Sequence, residues 1–575
     1  MRYPVLHEIK QSAGGITRFT GLDHRLKARD TAFYDMRNMS GEKLPVMSTR
    51  RKRRYLRTLL NPNGLFAHDK LCWVDGVDFY YDGEIVGNVE DSDKQFVRMG
   101  AYVLIWPDAV YYNTETREFG ALGARVVTEE EVVCHLCRAD GNAYNYTISK
   151  EAPETPANGQ YWLDTSDETH VLRVYSATQA MWNSVPTVYT KIEAYGIGKK
   201  FEKHDGVQIS GMTLEALNGS FYIVDKGDDW IIVVALIDQK HEQTERVTVE
   251  RLIPEMDYVC ELNNRIWGCS NKKHEIYASA LGDAKNWNQF IGQASDSYAV
   301  TVGSAGDFTG CCAHHGNMVF FKEECIHRIM GYKPANFQLD TTYSRGVQKG
   351  SSKSLCTVNE TVLYKSRNDV CRLGNTMPSG ISDSLGDELY TNAVAGAVNR
   401  RYYLCMRDAE GAPRIFVYDT EAGTWVAEDE RDVMWFATLN GELYMLLTNG
   451  ELWSAYGGGL IEYGSDASYE EEKIEWMLDT GDLGVDEPYN QHISGIQMYC
   501  NCELGTQLIV EVRCDDERNW RQAYRTSPAT KRSITIPYVP PRCRTIRMRI
   551  RGTGDFQLYQ IVKKIEQGSD VYGTC

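Results

Sequence analysis

The segment NGELYMLLTNGELWS, residues 440–454, decides the fold class of this chain. Asn-Gly turns stand on both sides of a run in which Leu443, Met445 and Leu447 occupy alternate positions, the two-residue period of a strand with one buried face. A short strand between tight polar turns is typical of antiparallel β-structure. The segment therefore predicts one hairpin of a β-sheet.

The same succession of turn, strand, turn and aromatic-bearing return strand recurs along the chain. Seven copies can be counted, at residues 70–83, 100–113, 262–279, 315–331, 359–374, 401–419 and 440–454. From residue 262 onward they begin roughly 40–55 residues apart, which is the spacing of propeller blades. The pattern predicts a mostly β protein with a β-propeller. A set of unrelated β-sandwiches stays open as the alternative, because single hairpins look alike in all β-folds.

Two stretches depart from this repeat. Residues 127–255 carry a loop rich in Pro and Glu followed by strands of their own, and they predict an inserted β domain. Residues 470–575 contain six runs of period-two alternation about ten residues apart, which predict a C-terminal β-sandwich. In the run RTIRMRIRG (544–552), Arg547, Arg549 and Arg551 share one strand face. That face is either a solvated surface or a contact surface for an acidic partner.

Composition bounds the class of protein. The chain has 575 residues, a formal net charge of −17 and 16 cysteines spread along its length, so the cysteines are expected to be reduced and buried. No apolar run approaches the ~18–20 residues that cross a bilayer, and the first residues lack the pattern of a secretory signal. The protein is therefore expected to fold in a cytoplasm without a membrane span. The acidic balance argues against a nucleic-acid reader that neutralises phosphates.

The stretch RFTGLDHRLKARDTAFYDMRNMSGEKLPVMSTRRKRR (18–54) resembles the opening of bacteriophage tail nozzle proteins, also called tail tubular proteins B. Four further segments are similar to that family: ELNNRIWGCSNKKHEIYASALGDAKNWNQF (261–290), GDFTGCCAHHGNMVFFKEECIHRIMG (306–331), YSRGVQKGSSKSL (343–355) and GTGDFQLYQI (552–561). The resemblance is one of pattern and covers most of the chain outside residues 127–250.

The resemblance implies a non-enzymatic structural protein of the virion tail, assembled in the bacterial cytoplasm. Such nozzle proteins form a homo-oligomeric ring, commonly a hexamer, below the portal and adaptor proteins, and they contact tail fibres or spikes. Double-stranded DNA passes through the ring without sequence-specific binding, and loops gate its ejection. Two alternatives stay open: a glycan-binding or glycan-cleaving propeller at a bacterial surface, and a baseplate component of a long-tailed phage.

These observations divide the chain into five segments. They are an N-terminal docking arm (1–58), a first propeller portion (59–126), the inserted domain (127–255), the remaining blades (256–458) and the sandwich (470–575). The arm ends in a basic run that we expect to dock on an acidic ring surface of a partner; the run consists of Arg50, Arg51, Lys52, Arg53 and Arg54. A solvated strand edge and direct DNA contact are the alternatives for this run.

The sequence carries no catalytic motif on which to base an activity. Cys134 and Cys137 have C-x-x-C spacing, and Cys311, Cys312, His314 and His315 are clustered, but neither group has a partner at zinc-site spacing. No metal and no cofactor are therefore expected. Glycosidase chemistry needs two carboxylates across a cleft, and nothing in the sequence pairs the many acidic candidates, which are Asp75, Asp78, Asp82, Asp108, Glu428, Asp429 and Glu430.

Tyr161 and Trp162 follow a turn in the Pro-rich part of the insert. Exposed aromatic rings in such a place stack on sugar rings in carbohydrate-binding modules, so both residues are candidates for glycan contact. The favoured alternative is that they begin a strand and pack inward.

Overall fold

The computed structural model describes residues 10–25, 29–375, 377–455, 463–464, 467–484, 492–515, 517–526 and 533–567. Within these ranges the chain forms 52 strands and no α-helix. Its four 3-10 helices, Glu215–Leu217, Pro334–Asn336, Ser352–Ser354 and Asp383–Leu385, are single turns. No helix in the described part of the chain is long and apolar enough to span a membrane.

The first strands are β1 (Lys10–Ile16), β2 (Asp35–Arg37), β3 (Met39–Ser40), β4 (Met47–Thr49), β5 (Arg54–Thr58), β6 (Pro62–Ala67), β7 (Leu71–Asp75), β8 (Asp78–Tyr81), β9 (Glu84–Asn88), β10 (Gln95–Met99), β11 (Tyr102–Trp106), β12 (Val110–Asn113) and β13 (Phe119–Ala121). The next group is β14 (Ala124–Val127), β15 (Val132–Cys137), β16 (Tyr146–Ser149), β17 (Tyr161–Asp164), β18 (Val171–Ser176), β19 (Met181–Ser184), β20 (Tyr189–Glu193), β21 (Gly206–Ser210), β22 (Gly219–Gly227), β23 (Trp230–Val234), β24 (His241–Gln243) and β25 (Thr248–Arg251).

The chain continues with β26 (Tyr258–Leu262), β27 (Arg265–Ser270), β28 (Glu275–Ala278), β29 (Tyr298–Thr301), β30 (Phe308–His314), β31 (Asn317–Lys322), β32 (Cys325–Met330), β33 (Gln338–Tyr343), β34 (Cys356–Val358), β35 (Thr361–Lys365), β36 (Val370–Arg372), β37 (Ser379–Gly380), β38 (Thr391–Val398), β39 (Arg401–Arg407), β40 (Pro413–Asp419) and β41 (Thr424–Ala427). The last strands are β42 (Val433–Leu439), β43 (Glu442–Leu447), β44 (Glu451–Ser454), β45 (Tyr469–Glu470), β46 (Glu475–Leu483), β47 (His492–Cys502), β48 (Gln507–Cys514), β49 (Arg521–Thr526), β50 (Ser533–Ile536), β51 (Ile546–Thr553) and β52 (Phe556–Gln567).

The fold is a β-propeller interrupted by an inserted β domain and followed by a C-terminal β-sandwich. Six propeller sheets each contain four consecutive strands: β6–β9, β10–β13, β26–β29, β30–β33, β34–β37 and β38–β41. The seventh has the order β42-β43-β44-β5-β45. The seven sheets coincide with the seven hairpins counted in the sequence, which confirms the predicted fold class.

The hairpin turn YDTEAGTW (418–425) shows how its sequence specifies a blade. The Asp419 carboxylate accepts hydrogen bonds from the backbone N–H groups of Glu421 and Ala422. The buried indole of Trp425 donates to the carbonyl of Ile381 in the preceding sheet's connection and packs on Tyr418 at 4.9 Å. One aspartate thus shapes the turn, and one tryptophan joins neighbouring sheets.

The chain divides into two compact units. The first comprises the described residues of Met1–Asp93, Phe321–Ile326 and Thr341–Cys575, and the second those of Lys94–Phe320 and His327–Asp340. The first unit holds the sandwich and the last blades, and the second holds the insert.

The N-terminal segment supplies strands to three sheets of the first unit, which differs from the docking arm expected for residues 1–58. Strand β5 pairs antiparallel with β44, with Arg54 opposite Ser454 and Thr58 opposite Glu451, so it is the fourth strand of the last blade. Strand β1 pairs antiparallel with β52, with Lys10 opposite Gln567 and Ile16 opposite Ile561. Strands β1, β2, β4 and β5 of this segment thus form backbone hydrogen bonds with strands β52, β46 and β44 near the other end of the chain.

The sandwich therefore combines both ends of the chain. One sheet has the order β3-β4-β52-β47-β50 with β1 added on β52, and the other has the order β2-β46-β51-β48-β49. Their inner faces bury alternate residues, such as Leu508, Val510 and Val512 of β48. Strand β49 was not predicted, because its sequence RQAYRT lacks a clear apolar alternation.

The inserted domain has a hydrophobic core of its own. Its strands form one sheet of order β14-β25-β21-β22-β23-β20-β15-β24 and a second of order β16-β17-β18-β19. Every residue of its buried cluster lies between Val132 and Val249. The observed limits, β14 to β25, fall within a few residues of the expected 127–255.

Deletion of residues 124–251 is expected to leave a soluble, folded remainder. Ala124 lies opposite Arg251 in the β14–β25 pair, so the cut ends stand about 5 Å apart and a short Gly-Ser linker can join them. Size-exclusion chromatography and circular dichroism check the result. As a control, deletion of residues 391–427, a blade that shares the main core, is expected to cause aggregation. If the protein that lacks residues 124–251 aggregates, the inserted domain is not independent of the rest of the fold.

Candidate functional site

The five-stranded sheet of the sandwich presents an arginine-rich outer face. On β51, Ile546, Met548 and Ile550 are buried, whereas the side chains of Arg547, Arg549 and Arg551 lie on the other side. This is the alternation that the sequence predicted. The open question was whether the arginines are merely solvated or form a contact surface.

Strand register places three arginines in one row across this face. Arg37 lies opposite Met477, Met477 opposite Arg551, Arg551 opposite Ile509, and Ile509 opposite Arg525. Neighbouring strands lie about 4.8 Å apart, so successive arginines of the row are about 10 Å apart with an apolar side chain between them. A surface of alternating guanidinium and apolar groups has the composition of protein interfaces, which are enriched in Arg, Met and aromatic residues.

Trp520 lies beside this row between two further arginines. The guanidinium of Arg549 is 4.2 Å and that of Arg513 is 5.1 Å from its ring. The Nε atoms of both arginines are buried and have no hydrogen-bond partner among the described residues. We name the surface formed by Arg37, Met477, Ile509, Arg513, Trp520, Arg525, Arg549 and Arg551 the arginine face. Part of it forms a groove of about 620 Å³.

Carboxylates neutralise only part of this charge. Glu511 accepts two hydrogen bonds from Arg551 at 2.9 and 3.2 Å, and they raise the pKa of that guanidinium. Asp479 is paired with Arg547 at 2.5 Å and with Arg549 at 3.4 Å. Glu430 lies 3.8 Å from Arg37. The five arginines of the face outnumber by one the four carboxylates beside them, which are Glu430, Glu475, Asp479 and Glu511. The face is a positive region on a chain of net charge −17.

The basic run Arg50–Arg54 does not form one docking edge. Arg53 is 1% exposed, and its two Nη atoms each lie 2.5 Å from a carboxylate, one from Glu428 and one from Asp429. Arg50 is 6% exposed and binds both carboxylate oxygens of Glu471. A partner cannot reach these two guanidinium groups, because the chain's own carboxylates bind them.

The other members of the run are more accessible. Arg51 is 61% exposed and pairs with Glu42 at 3.0 Å. Lys52 and Arg54 are half-buried at the start of β5. The docking hypothesis for the run can therefore apply only to these three residues.

Arg50 and Arg53 belong to an ionic cluster that joins the N-terminal segment to the last blade. Its other members are Asn38, Glu428, Asp429, Arg431 and Glu471. Although burial opposes it, the carboxylates of Asp429 and Glu428 raise the pKa of Arg53. Burial raises the pKa of Glu428, whereas Arg53 and Arg50 together outweigh burial at Asp429 and lower its pKa.

A Glu471→Gln variant is expected to lose stability near pH 7 and to match the parent protein in acid. Burial opposes ionisation of Glu471, but its hydrogen bonds with Arg50 hold its pKa below the ordinary value. Such a carboxyl stabilises the fold fully above its unfolded pKa of about 4.3, and this contribution is lost as pH falls through the folded value.

Hydrogen exchange of the β5–β44 pair measured at several pH values checks this prediction. The opening free energies of variant and parent protein are expected to converge as the pH falls through the lowered folded-state pKa of Glu471, because this carboxyl is then protonated in both states. The pKa of Glu428 is raised, so its ionisation lowers the stability of the fold as pH rises, the opposite of the effect of Glu471. Glu428 is present in both proteins and therefore does not alter the comparison. Glu472→Gln, at the exposed neighbouring position, is the control. A constant difference down to pH 2 would exclude the assigned role of Glu471.

The aromatic pair proposed for glycan contact is divided between two environments. Trp162 is 6% exposed, donates its indole N–H to the Ser149 carbonyl and packs edge-on against Trp182 at 5.3 Å. Tyr161 is half-buried and packs against Tyr144 at 4.8 Å. The rings pack within the insert, as the favoured alternative held, and Trp162 presents no open stacking surface.

The cysteine and histidine motifs do not converge on one site. Cys134 and Cys137 are three positions apart on β15 and so point to opposite faces of the strand. Burial raises the pKa of both thiols, to about 12 and about 11, and that of His314 is lowered to about 4, also chiefly by burial. No group of three or more His, Cys, Asp or Glu side chains in the described ranges has the geometry of a metal site.

Several acidic residues considered for glycosidase chemistry have structural partners. Asp108 pairs with the buried Lys94 at 2.6 Å, and Asp82 pairs with Lys70 at 3.1 Å. Glu428 and Asp429 are bound by Arg53 as described above. Ion pairing therefore accounts for the buried positions of Asp108, Glu428 and Asp429, whereas Asp82 is partly exposed.

Sequence reasoning found only two of the eight residues of the arginine face, Arg549 and Arg551. The segment RNWRQAYR (518–525) contains Trp520 and Arg525, and its mixture of Arg and aromatic residues is a usable signal for an interface. Arg37 could not have been found in this way, because it joins the row only through the pairing of β2 with β46.

Comparison with known proteins gives only distant likenesses. No family model and no curated protein matches the chain. Among solved structures, BamB from Moraxella catarrhalis has 11% identity and a TM-score of 0.25, covering 63% of this chain and 92% of that one. Raptor from Chaetomium thermophilum has 10% identity and a TM-score of 0.30, covering 70% and 29%. An exo-β-1,3-galactanase from Phanerochaete chrysosporium has 10% identity and a TM-score of 0.21, covering 53% and 94%. At these values the likenesses carry no inference about function.

Proposed function

We propose that this protein is a structural subunit of a bacteriophage tail, a nozzle or hub that forms a ring around the DNA channel below the portal and adaptor proteins. In this role it conducts double-stranded DNA and gates its ejection, and it contacts tail fibres or spikes. Its contribution is geometric and electrostatic, with no chemical step.

The observation that carries the proposal is the position of the segment that resembles nozzle proteins. Residues 18–54 contribute β2, β3 and β4 to the sandwich and lead directly into β5 of the last blade. The ionic cluster of Arg50 and Arg53 holds the same segment in place. In a subunit of a DNA channel, this arrangement ties the last blade to the sandwich through backbone hydrogen bonds.

Charge supports the same role. A chain of net charge −17 repels phosphate groups, so DNA can slide past its acidic surfaces without being retained. The positive arginine face is a local exception to this acidic surface. Because Met477 and Ile509 separate its guanidinium groups, it is better suited to contact with an acidic protein than to the wall of a DNA channel.

The test is the composition and infectivity of phage particles made with and without this protein. Mass spectrometry of purified particles is expected to find the protein in the tail, and a nonsense mutant is expected to yield DNA-filled heads without complete tails. Complementation with the intact gene is the control. Particles that lack the protein and infect normally would overturn the proposal.

A further inference from the structure

The arginine face has unmet binding capacity. Arg525, at the end of the arginine row, is exposed. Arg37 lies 3.8 Å from Glu430 and Arg551 binds Glu511, but both guanidinium groups are about half exposed, so part of their five N–H donors remains open to a ligand. Planar guanidinium groups of this kind bind carboxylates through paired hydrogen bonds.

The composition of the face favours a protein over a nucleic acid. Trp520, Met477 and Ile509 lie among the arginines, and Arg, Trp and Met are enriched at protein interfaces. The ligand that fits is a compact group of protein carboxylates.

This chain itself carries such a group. The sequence contains two Glu-Glu-Glu runs, at 129–131 and 470–472. In the second run the middle residue, Glu471, is bound by Arg50 and Arg431 inside the ionic cluster. In the first run Glu129, Glu130 and Glu131 are all exposed at the start of the insert.

We propose that the arginine face binds Glu129–Glu131 of a second copy of this chain. The two surfaces are different, so the contact is heterologous, and repetition of a heterologous contact closes a ring when the rotation permits. The inference rests on the proposed ring-forming function and names the contact that builds the ring.

The test is a charge-swap experiment on the full-length chain. The face variant carries Arg525→Glu, Arg549→Glu and Arg551→Glu, and the acid variant carries Glu129→Arg, Glu130→Arg and Glu131→Arg. Sedimentation velocity at ~50 mM salt measures self-association. The parent protein is expected to associate, and to associate more weakly at ~500 mM salt, because salt screens exposed charges.

Each variant alone is expected to be monomeric, because its interface brings like charges together. An equimolar mixture of the two is expected to associate again, and so is a single chain carrying all six substitutions. Circular dichroism checks that each variant is folded, and Arg51→Glu, a reversal at an exposed position outside the face, is expected to associate as the parent does.

The proposal is overturned if the face variant associates like the parent protein, if the mixture fails to associate, or if the parent protein stays monomeric at high concentration. It is also overturned if the face variant loses affinity for duplex DNA while self-association is unchanged, since the ligand is then phosphate. If the face variant still forms rings in tails, the proposed contact is wrong, but the proposed function of the protein is unaffected.

Discussion

Replacement of Arg53 by Met is expected to destabilise the last blade by about 3–5 kcal/mol, the usual cost of leaving one partner of a buried ion pair without the other. Met fills a similar volume, so the loss comes from electrostatics. Glu428 and Asp429 would keep their buried positions but lose the guanidinium that binds them both at 2.5 Å. Hydrogen–deuterium exchange of strands β5 and β44 measures the effect as a lower free energy of local opening.

Two further variants separate the ion pair from simple packing. Arg51→Met removes a charge that is 61% exposed and is expected to change the opening free energy by less than about 1 kcal/mol. The double variant Arg53→Met, Glu428→Gln is expected to recover part of the loss, because it no longer buries an unpaired charge at position 428. Equal effects of Arg53→Met and Arg51→Met would mean that the cluster does not hold the N-terminal segment.

Removal of residues 1–58 is expected to prevent the rest of the chain from folding to a soluble protein. The deletion takes one strand from the last blade and four from the sandwich. It also removes side chains that are buried in those cores, among them Phe33, Met36, Met39, Met47 and Leu56. Each contributes roughly 1.5–3 kcal/mol through burial, so the sum is comparable to the whole stability of a domain, about 5–15 kcal/mol.

Soluble yield and near-ultraviolet circular dichroism of residues 59–575 measure this outcome. Co-expression of residues 1–58 as a separate peptide is expected to restore solubility, because the missing strands can pair in trans. If residues 59–575 alone give a soluble protein with the parent spectrum, the N-terminal segment is a separable arm, as the sequence first suggested.

The fold class could be predicted from the sequence because its signals are local. Each blade hairpin carries its own turn residues and its own period-two pattern, as in residues 440–454. The insert and the arginine-bearing strand β51 were visible for the same reason. Sequence spacing alone was enough to assign Ile546 and Arg547 to opposite faces.

The role of the basic run could not be predicted, because it depends on partners far away in the sequence. Arg53 and Glu428 are 375 positions apart. Five basic residues in succession look like an exposed surface until the carboxylates that surround two of them are known. The same limit hid Arg37, whose place in the arginine face follows from strand pairing between the two ends of the chain.

Single-particle electron microscopy of the purified protein at high concentration, together with tail particles from the same source, decides whether the protein forms a ring around the DNA channel. A tail ring subunit is expected to give closed rings with an axial hole, and matching density in the tail below the portal. Monomers alone, with no corresponding density in any particle, would contradict this expectation.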